Sequence, residues 1–210
     1  MAEDWLARWD EGRTGWHEPG GNSGLRSYWP DVEKPGRVLV PLCGKTPDLK
    51  WLAGRGLDVT GVELSRIAVE GFFDDNGLGY EREQAGSLTR YSANAHAIAI
   101  YCGDYFEFES APFDALYDRG AIVALPRELR PRYVAHTKKL LKPGAVRLVV
   151  TLEYDQAAVD GPPYSVPAGE VTSYWDDLVV AGSKDDIDTC PPKFRQAGIS
   201  EITEVFWLSR

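Results

Sequence analysis

Gly44 and Glu63 have the clearest chemistry in this chain, because their types and spacing suit a ribose. A glycine at a tight turn lets the backbone press against a bound molecule. A carboxylate about 20 residues further on accepts both hydroxyl protons of a ribose when a nucleotide-binding βαβ unit carries the two. Asp104 follows an apolar run and is placed to accept a proton from an exocyclic adenine amine; a turn-capping Asp is the ordinary alternative. Asp118 and Arg119 close another apolar run, where a guanidinium can hold an anionic substrate, or where the two form a structural pair. An adenosine-bearing ligand is the chemistry that Gly44 and Glu63 share.

The elements that must position them are readable. Val38-Leu39-Val40 is too short for a helix and rich in branched residues, so it reads as a buried strand. Cys43-Gly44-Lys45 forms a turn, with Thr46 as N-cap and Pro47 in the first helical position. Leu49, Leu52 and Ala53 recur at helical spacing until Gly54 and Gly56 stop the pattern. Val59 to Val62 is a second strand, delivering Glu63 at its carboxyl end. Three cofactors compete for this unit. A dinucleotide requires G-x-G-x-x-G, of which Leu42, Gly44 and Pro47 keep one glycine. A phosphate loop ending in Gly44-Lys45-Thr46 would begin inside the strand, at Leu39. S-adenosylmethionine carries no phosphate and needs only the close backbone approach and the ribose acid, so it fits best.

Whole-chain composition narrows the class. The chain has 210 residues, 43% hydrophobic and 26% charged, which suits one soluble domain with a sizeable core. No stretch has the length and apolarity of a membrane span, and MAEDWLARWDEG lacks the features of a signal peptide, so a cytoplasmic address is expected. A formal charge of −9 argues against a nucleic-acid substrate. Cys43, Cys102 and Cys190 are too scattered for a disulfide framework, and no Cys or His spacing suggests a metal.

The remaining chain reads as alternating helices and strands. Trp5 and Trp9 share a helix face, and Gly12 and Gly15 bring Trp16-His17 into a loop. This aromatic area either packs on the domain or covers a cationic, aromatic ligand. Ser65 caps a helix to about Asn76, and residues 77–96 read as a loop or short hairpin. Ile98–Cys102, Phe113–Tyr117 and Val146–Glu153 are further strands, with a helix from about Arg127 to Leu141 before the last. Gly161-Pro162-Pro163-Tyr164 suggests a stiff, extended pocket rim. It lacks the polar residue and the position of the Pro-Pro-Tyr signature of base amine methylation. A helix from Gly169 to Leu178, an edge segment Leu178–Val180 and a strand Ile199–Leu208 follow. The basic loop 190–195 either reaches the rim or is solvated surface.

Val40-Pro41-Leu42-Cys43-Gly44-Lys45, Gly61-Val62-Glu63-Leu64-Ser65, Asp118-Arg119-Gly120-Ala121 and Gly161-Pro162-Pro163-Tyr164 resemble the thiopurine S-methyltransferase family. Trp5, Trp9, Gly12 and Trp16-His17 fit it too, so the likeness runs from Trp5 to the last strand. It implies the Rossmann-like class I methyltransferase fold: α/β, doubly wound, a mostly parallel seven-stranded sheet with helices on both faces. It also implies one domain, with residues 1–30 as an aromatic N-terminal cap over the site. The implied cofactor is S-adenosylmethionine, contacted by Trp5, Trp9, Trp16, Leu42, Gly44, Glu63, Leu64, Asp104, Tyr105 and Arg119. The implied partner is a small aromatic or heterocyclic thiol, bordered by Trp16, Arg119, Pro162, Pro163 and Lys193. Trp16 stands where vertebrate members have a smaller ring. Bacterial members are also linked to selenium and tellurium species.

Methyl transfer from a sulfonium to a thiolate destroys charge, so a dry, aligned site suffices without a catalytic triad. The expected catalytic residues are Arg119, stabilising the thiolate, and Asp118, orienting the guanidinium. A monomer is expected. The rival functions are a methyltransferase for another oxygen, nitrogen or metalloid acceptor, and a catalytically idle S-adenosylmethionine-binding protein.

Overall fold

A computed structural model of the chain describes residues 2–209. Helices α1 (Ala2–Asp10) and α2 (Ser23–Tyr28) precede the sheet. The expected unit follows as β1 (Arg37–Pro41), α3 (Asp48–Gly54) and β2 (Asp58–Glu63). Pro47 rather than Thr46 occupies the N-cap, while Thr46 Oγ1 accepts from the Asp48 N–H at 3.3 Å. In α4 (Arg66–Asp75), the Ser65 hydroxyl oxygen accepts from the Ala68 N–H, the capping bond its residue type favours.

Residues 77–96 hold the hairpin β3 (Tyr80–Ala85) and β4 (Leu88–Ala93), turned at Gly86 with φ +63°. Strands β5 (Ile98–Cys102), β6 (Phe113–Arg119) and β7 (Leu141–Glu153) follow, with α5 (Arg130–Lys139) between the last two. Then come α6 (Ala168–Tyr174), β8 (Leu178–Asp185), the short α7 (Lys193–Gln196) and β9 (Thr203–Ser209).

These strands form one sheet in the order β3-β4-β5-β2-β1-β6-β7-β9-β8. The central β5-β2-β1-β6-β7 run is parallel, and the pairs at both flanks are antiparallel. The doubly wound α/β fold is as expected, but the sheet has nine strands, not seven. The surplus is the hairpin. Its outer strand, YEREQA, has no buried residue, so it lacks the alternation that marks a half-buried strand.

Successive side chains of the central strands enter two cores, as the period of a strand dictates. Val38, Val40, Ala115 and Tyr117 pack under α2, α3 and α4 with Leu25, Leu49, Leu52 and Phe72. Leu39, Leu116 and Val149 pack on the other face under α5, α6 and α7 with Tyr133, Val171 and Phe194. Both faces being covered explains the near-continuous apolar runs. The chain starts at β1, moves outward through β2 and β5, then returns to β6 on the other side of β1. That reversal opens a crevice beyond the carboxyl ends of β1 and β6. Among the described residues, no helix is long and apolar enough to cross a membrane.

Candidate active site

Beyond β1 the backbone turns through Leu42 at φ +46° and Gly44 at φ +55°. A leucine in the left-handed region is costly and persists only where surroundings enforce it. The Gly44 N–H donates to Glu63 Oε2 and the Ser65 N–H to Glu63 Oε1, both at 2.8 Å. The turn and the carboxylate are therefore one unit, with Glu63 at the end of β2. Glu63 is buried, which raises its pKa against the pull of those backbone donors. Each of its oxygens keeps a further accepting position, since a carboxylate has about four.

This unit opens on a cleft of about 570 Å³, the volume of a ligand pocket. Of the residues expected at the site, Trp5, Trp9, Trp16, Leu42, Gly44, Glu63, Leu64, Asp104, Tyr105, Arg119, Pro162, Pro163 and Lys193 all line it. The three tryptophans interlock: Trp16 meets Trp5 edge-on at 5.0 Å and Trp9 at 5.8 Å. A Cβ on Gly44 would lie 3.3 Å from the Trp9 ring, so the bare turn also accommodates this aromatic wall.

Several side chains are committed differently from the expectation. Asp118 does not orient Arg119. Neighbours on β6 face opposite ways, so Asp118 accepts from Tyr133 Oη at 2.6 Å and from the Ile122 N–H at 3.2 Å. It is buried away from the cleft, and burial pushes its pKa up to about 6. Arg119 instead reaches the N-terminal segment, donating to the Trp16 carbonyl at 3.1 Å and pairing with the Glu18 carboxylate. Burial opposes its charge, but Glu18, with Glu204 and Asp48 nearby, outweighs that.

Asp104 caps a 3₁₀ turn by accepting from the Phe106 N–H at 2.9 Å, while the Tyr105 hydroxyl is bonded to Thr137 Oγ1 inside the core. Lys193 braces the rim, donating to the carbonyls of Pro162, at 3.0 Å, and Asp160. The Tyr154 hydroxyl donates to the Pro163 carbonyl at 2.7 Å. Both prolyl bonds at Pro162 and Pro163 are cis, not the extended run anticipated.

Glu18, Asn22, Asp48, Lys184, Asp186 and Glu204 escaped the sequence reading. Asn22 is their hub: its N–H donates to Asp48 Oδ1 at 3.0 Å and its Nδ2 to Glu204 Oε1 at 3.0 Å. Asp48 in turn accepts from Tyr117 Oη at 2.9 Å. No local pattern announces such contacts, because the Asn22–Glu204 partners lie 182 positions apart.

The family model described as Thiopurine S-methyltransferase (TPMT) matches residues 1–210. The chain belongs to the thiopurine S-methyltransferase family. It is 44% identical over 217 residues to the thiopurine S-methyltransferase of Bordetella petrii, covering 100% of this chain and 98% of that one. The Pseudomonas fluorescens relative is 42% identical over 211 residues, covering 96% and 95%. Solved structures share the fold at low identity. A SAM-dependent methyltransferase from Anabaena variabilis has a TM-score of 0.64 at 14% identity, covering 100% of this chain and 95% of its own. The Burkholderia thailandensis 1,6-didemethyltoxoflavin-N1-methyltransferase, with S-adenosylhomocysteine bound, has a TM-score of 0.60 at 15% identity, covering 99% and 86%.

This protein is thus an S-adenosylmethionine-dependent methyltransferase of α/β fold. The cleft suits that cofactor. Gly44 and Glu63 border the cleft, and the tryptophan wall suits a cationic group.

Proposed function

We propose that this methyltransferase methylates the sulfur of a small aromatic or heterocyclic thiol. The observation that carries the reading is Arg119, a guanidinium held by Glu18 and the Trp16 carbonyl at the end of β6, beside the aromatic wall that Trp5, Trp9 and Trp16 give the cleft. The names of the relatives at 42–44% identity support the same acceptor class.

In this reading Glu63 accepts from the ribose hydroxyls, and Leu42, Gly44 and Leu64 form the wall behind the cofactor's sugar and methionine parts. Asp104 has an oxygen left for the adenine amine, with Tyr105 beside it. The cofactor supplies, when bound, a methyl group made electrophilic by a sulfonium. Trp5, Trp9 and Trp16 exclude water, with residues 1–30 acting as a cap. Excluding water favours a step in which opposite charges cancel. Arg119 has five N–H donors, and Glu18 and the Trp16 carbonyl occupy part of that fork. The rest stabilises a thiolate and sets its direction. Pro162 and Pro163, held by Tyr154 and Lys193, shape the acceptor's rim. We take the enzyme to act as a cytoplasmic, single-domain monomer; light scattering on the purified protein checks its oligomeric state.

The test is a panel of acceptors matched in shape, supplied with methyl-labelled S-adenosylmethionine. Thiophenol and a mercaptopurine should take up label, while phenol and aniline should not. Labelling of the phenol or aniline with the thiols untouched would overturn the thiol assignment.

A further inference from the structure

One cation of the cleft is left without a partner. Arg8 lies on α1, half-buried, with its guanidinium carbon 5.4 Å from the centre of the Trp5 ring. Among the described residues no carboxylate pairs with it and no acceptor takes its N–H groups. A partly desolvated charge without a partner is costly, and an anion brought to it relieves that cost. Lys193 borders the same cleft. Burial, and then the charge of Arg8, lower the pKa of Lys193, while Asp160 acts the other way, so the two cations are near enough to repel. Lys193 has three N–H donors, of which the carbonyls of Asp160 and Pro162 take two.

A continuous wall joins Arg8 to Arg119. The Arg119 guanidinium donates to the Trp16 carbonyl, the Trp16 ring meets Trp5 edge-on, and Arg8 sits over Trp5. An aromatic acceptor laid along this wall with its sulfur at Arg119 turns its opposite edge toward Arg8 and Lys193. A second space of about 310 Å³ adjoins the cleft there, since Trp5, Arg8, Arg13, Ala124 and Pro162 border both. The acids around it are engaged: Glu11 pairs with Arg13, and Asp4 has a contact of its own. Those of the main cleft stand elsewhere, Glu63 on the Gly44 turn, Asp104 on its 3₁₀ turn, and Asp186 and Glu204 beside Lys184.

We propose that Arg8 and Lys193 form an anion subsite for a carboxylate on the outer edge of the acceptor ring, so that the substrate is an aromatic thiol carrying a carboxylate. The inference rests on the thiol reading above and names the acceptor more narrowly. The Arg8 fork offers a carboxylate two parallel N–H bonds, and Lys193 adds its remaining donor as a point charge. Neither residue takes part in the transfer itself; they bind the acceptor and fix its direction. Because the subsite lies at the rim, its attraction is open to screening by salt.

The experiment measures kcat/KM for 3- and 4-mercaptobenzoate, each beside its neutral amide, with wild type and Arg8→Gln. Wild type should prefer at least one acid over its amide by about tenfold, the worth of a hydrogen bond to a charged group. Salt at about 0.5 M should remove most of that preference. Arg8→Gln should lose about tenfold on the preferred acid, chiefly in KM, and stay within about threefold on the amide. Comparing variant with wild type on the same thiol cancels the sulfur's own reactivity. Arg8→Lys, which keeps the charge, should keep most of the preference. Wild type that treats acids and amides alike would overturn the subsite. Equal losses on acid and amide in Arg8→Gln would do the same, marking Arg8 as a prop for Trp5. If Arg8→Gln fails to fold, the salt comparison on wild type decides, and a preference indifferent to salt counts against the subsite. Wild type that methylates none of the four thiols would sink the thiol reading instead, whereas methylated amides with no gain for the acids leave that reading standing.

Discussion

Glu63 ties the turn after β1 to the start of α4 through its bonds to Gly44 and Ser65, and in the proposed reading the same carboxylate also holds the ribose. Glu63→Ala should weaken S-adenosylmethionine binding by about 1–3 kcal/mol, the cost of leaving buried polar partners unpaired. Titration calorimetry reads this directly, and unchanged affinity would remove Glu63 from the site. Under the proposed role of Arg119 at the acceptor, Arg119→Ala should depress turnover with a thiol more than cofactor affinity; equal activity would exclude that role. Asp118 gives a pH signature. Its folded pKa of about 6 exceeds the unfolded carboxylate value of about 3.9. Between those values the folded protein holds a proton the unfolded chain has lost, so this residue stabilises less as pH rises through the window. Asp118→Asn should therefore gain on wild type between pH 4 and pH 7, by up to about 3 kcal/mol. Urea midpoints at the two pH values measure it, and a pH-independent difference would contradict the shift.

At the scale of elements, α2 sits on the sheet by virtue of Gly24. A Cβ there would lie 1.9 Å from Phe206 Cε1, whereas one on Gly20 would meet nothing within 4 Å. Gly24→Ala should cost at least about 1–3 kcal/mol by overpacking, and Gly20→Ala little, as denaturant melts would show. The β1–α3–β2 unit was legible because its signals are local: a branched run, a glycine turn, a helical repeat and an acid, all within one stretch. The β3–β4 hairpin was only half legible, since an edge strand exposed along its length has no apolar alternation to display. The pairing of Arg119 was misread although the warning was present. Residues adjacent on a strand face apart, so Asp118 could not orient its neighbour while both sit on β6. Its actual partner, Glu18, lies 101 positions earlier, beyond the reach of any spacing rule.

Across the whole molecule, the reversal of strand order beside β1 places the cleft where segments from both halves of the chain meet. Ligand occupancy should then stabilise the entire fold. Saturation at about 100 Kd adds about 2.7 kcal/mol, which for a chain of this size raises Tm by about 5–10 °C. S-adenosylmethionine should produce that rise in a thermal melt and ATP or a nicotinamide dinucleotide should not; a rise with either of these alone would redirect the cofactor assignment. The β9 strand lies between β7 and β8, and its Glu204 holds Asn22. On a ribosome, then, the tryptophan-bearing segment leaves the exit tunnel long before the strand that will anchor it. Its rings must wait exposed through most of translation, and a nascent chain halted before residue 203 should be a poor captor of the methyl donor and a good client for chaperones.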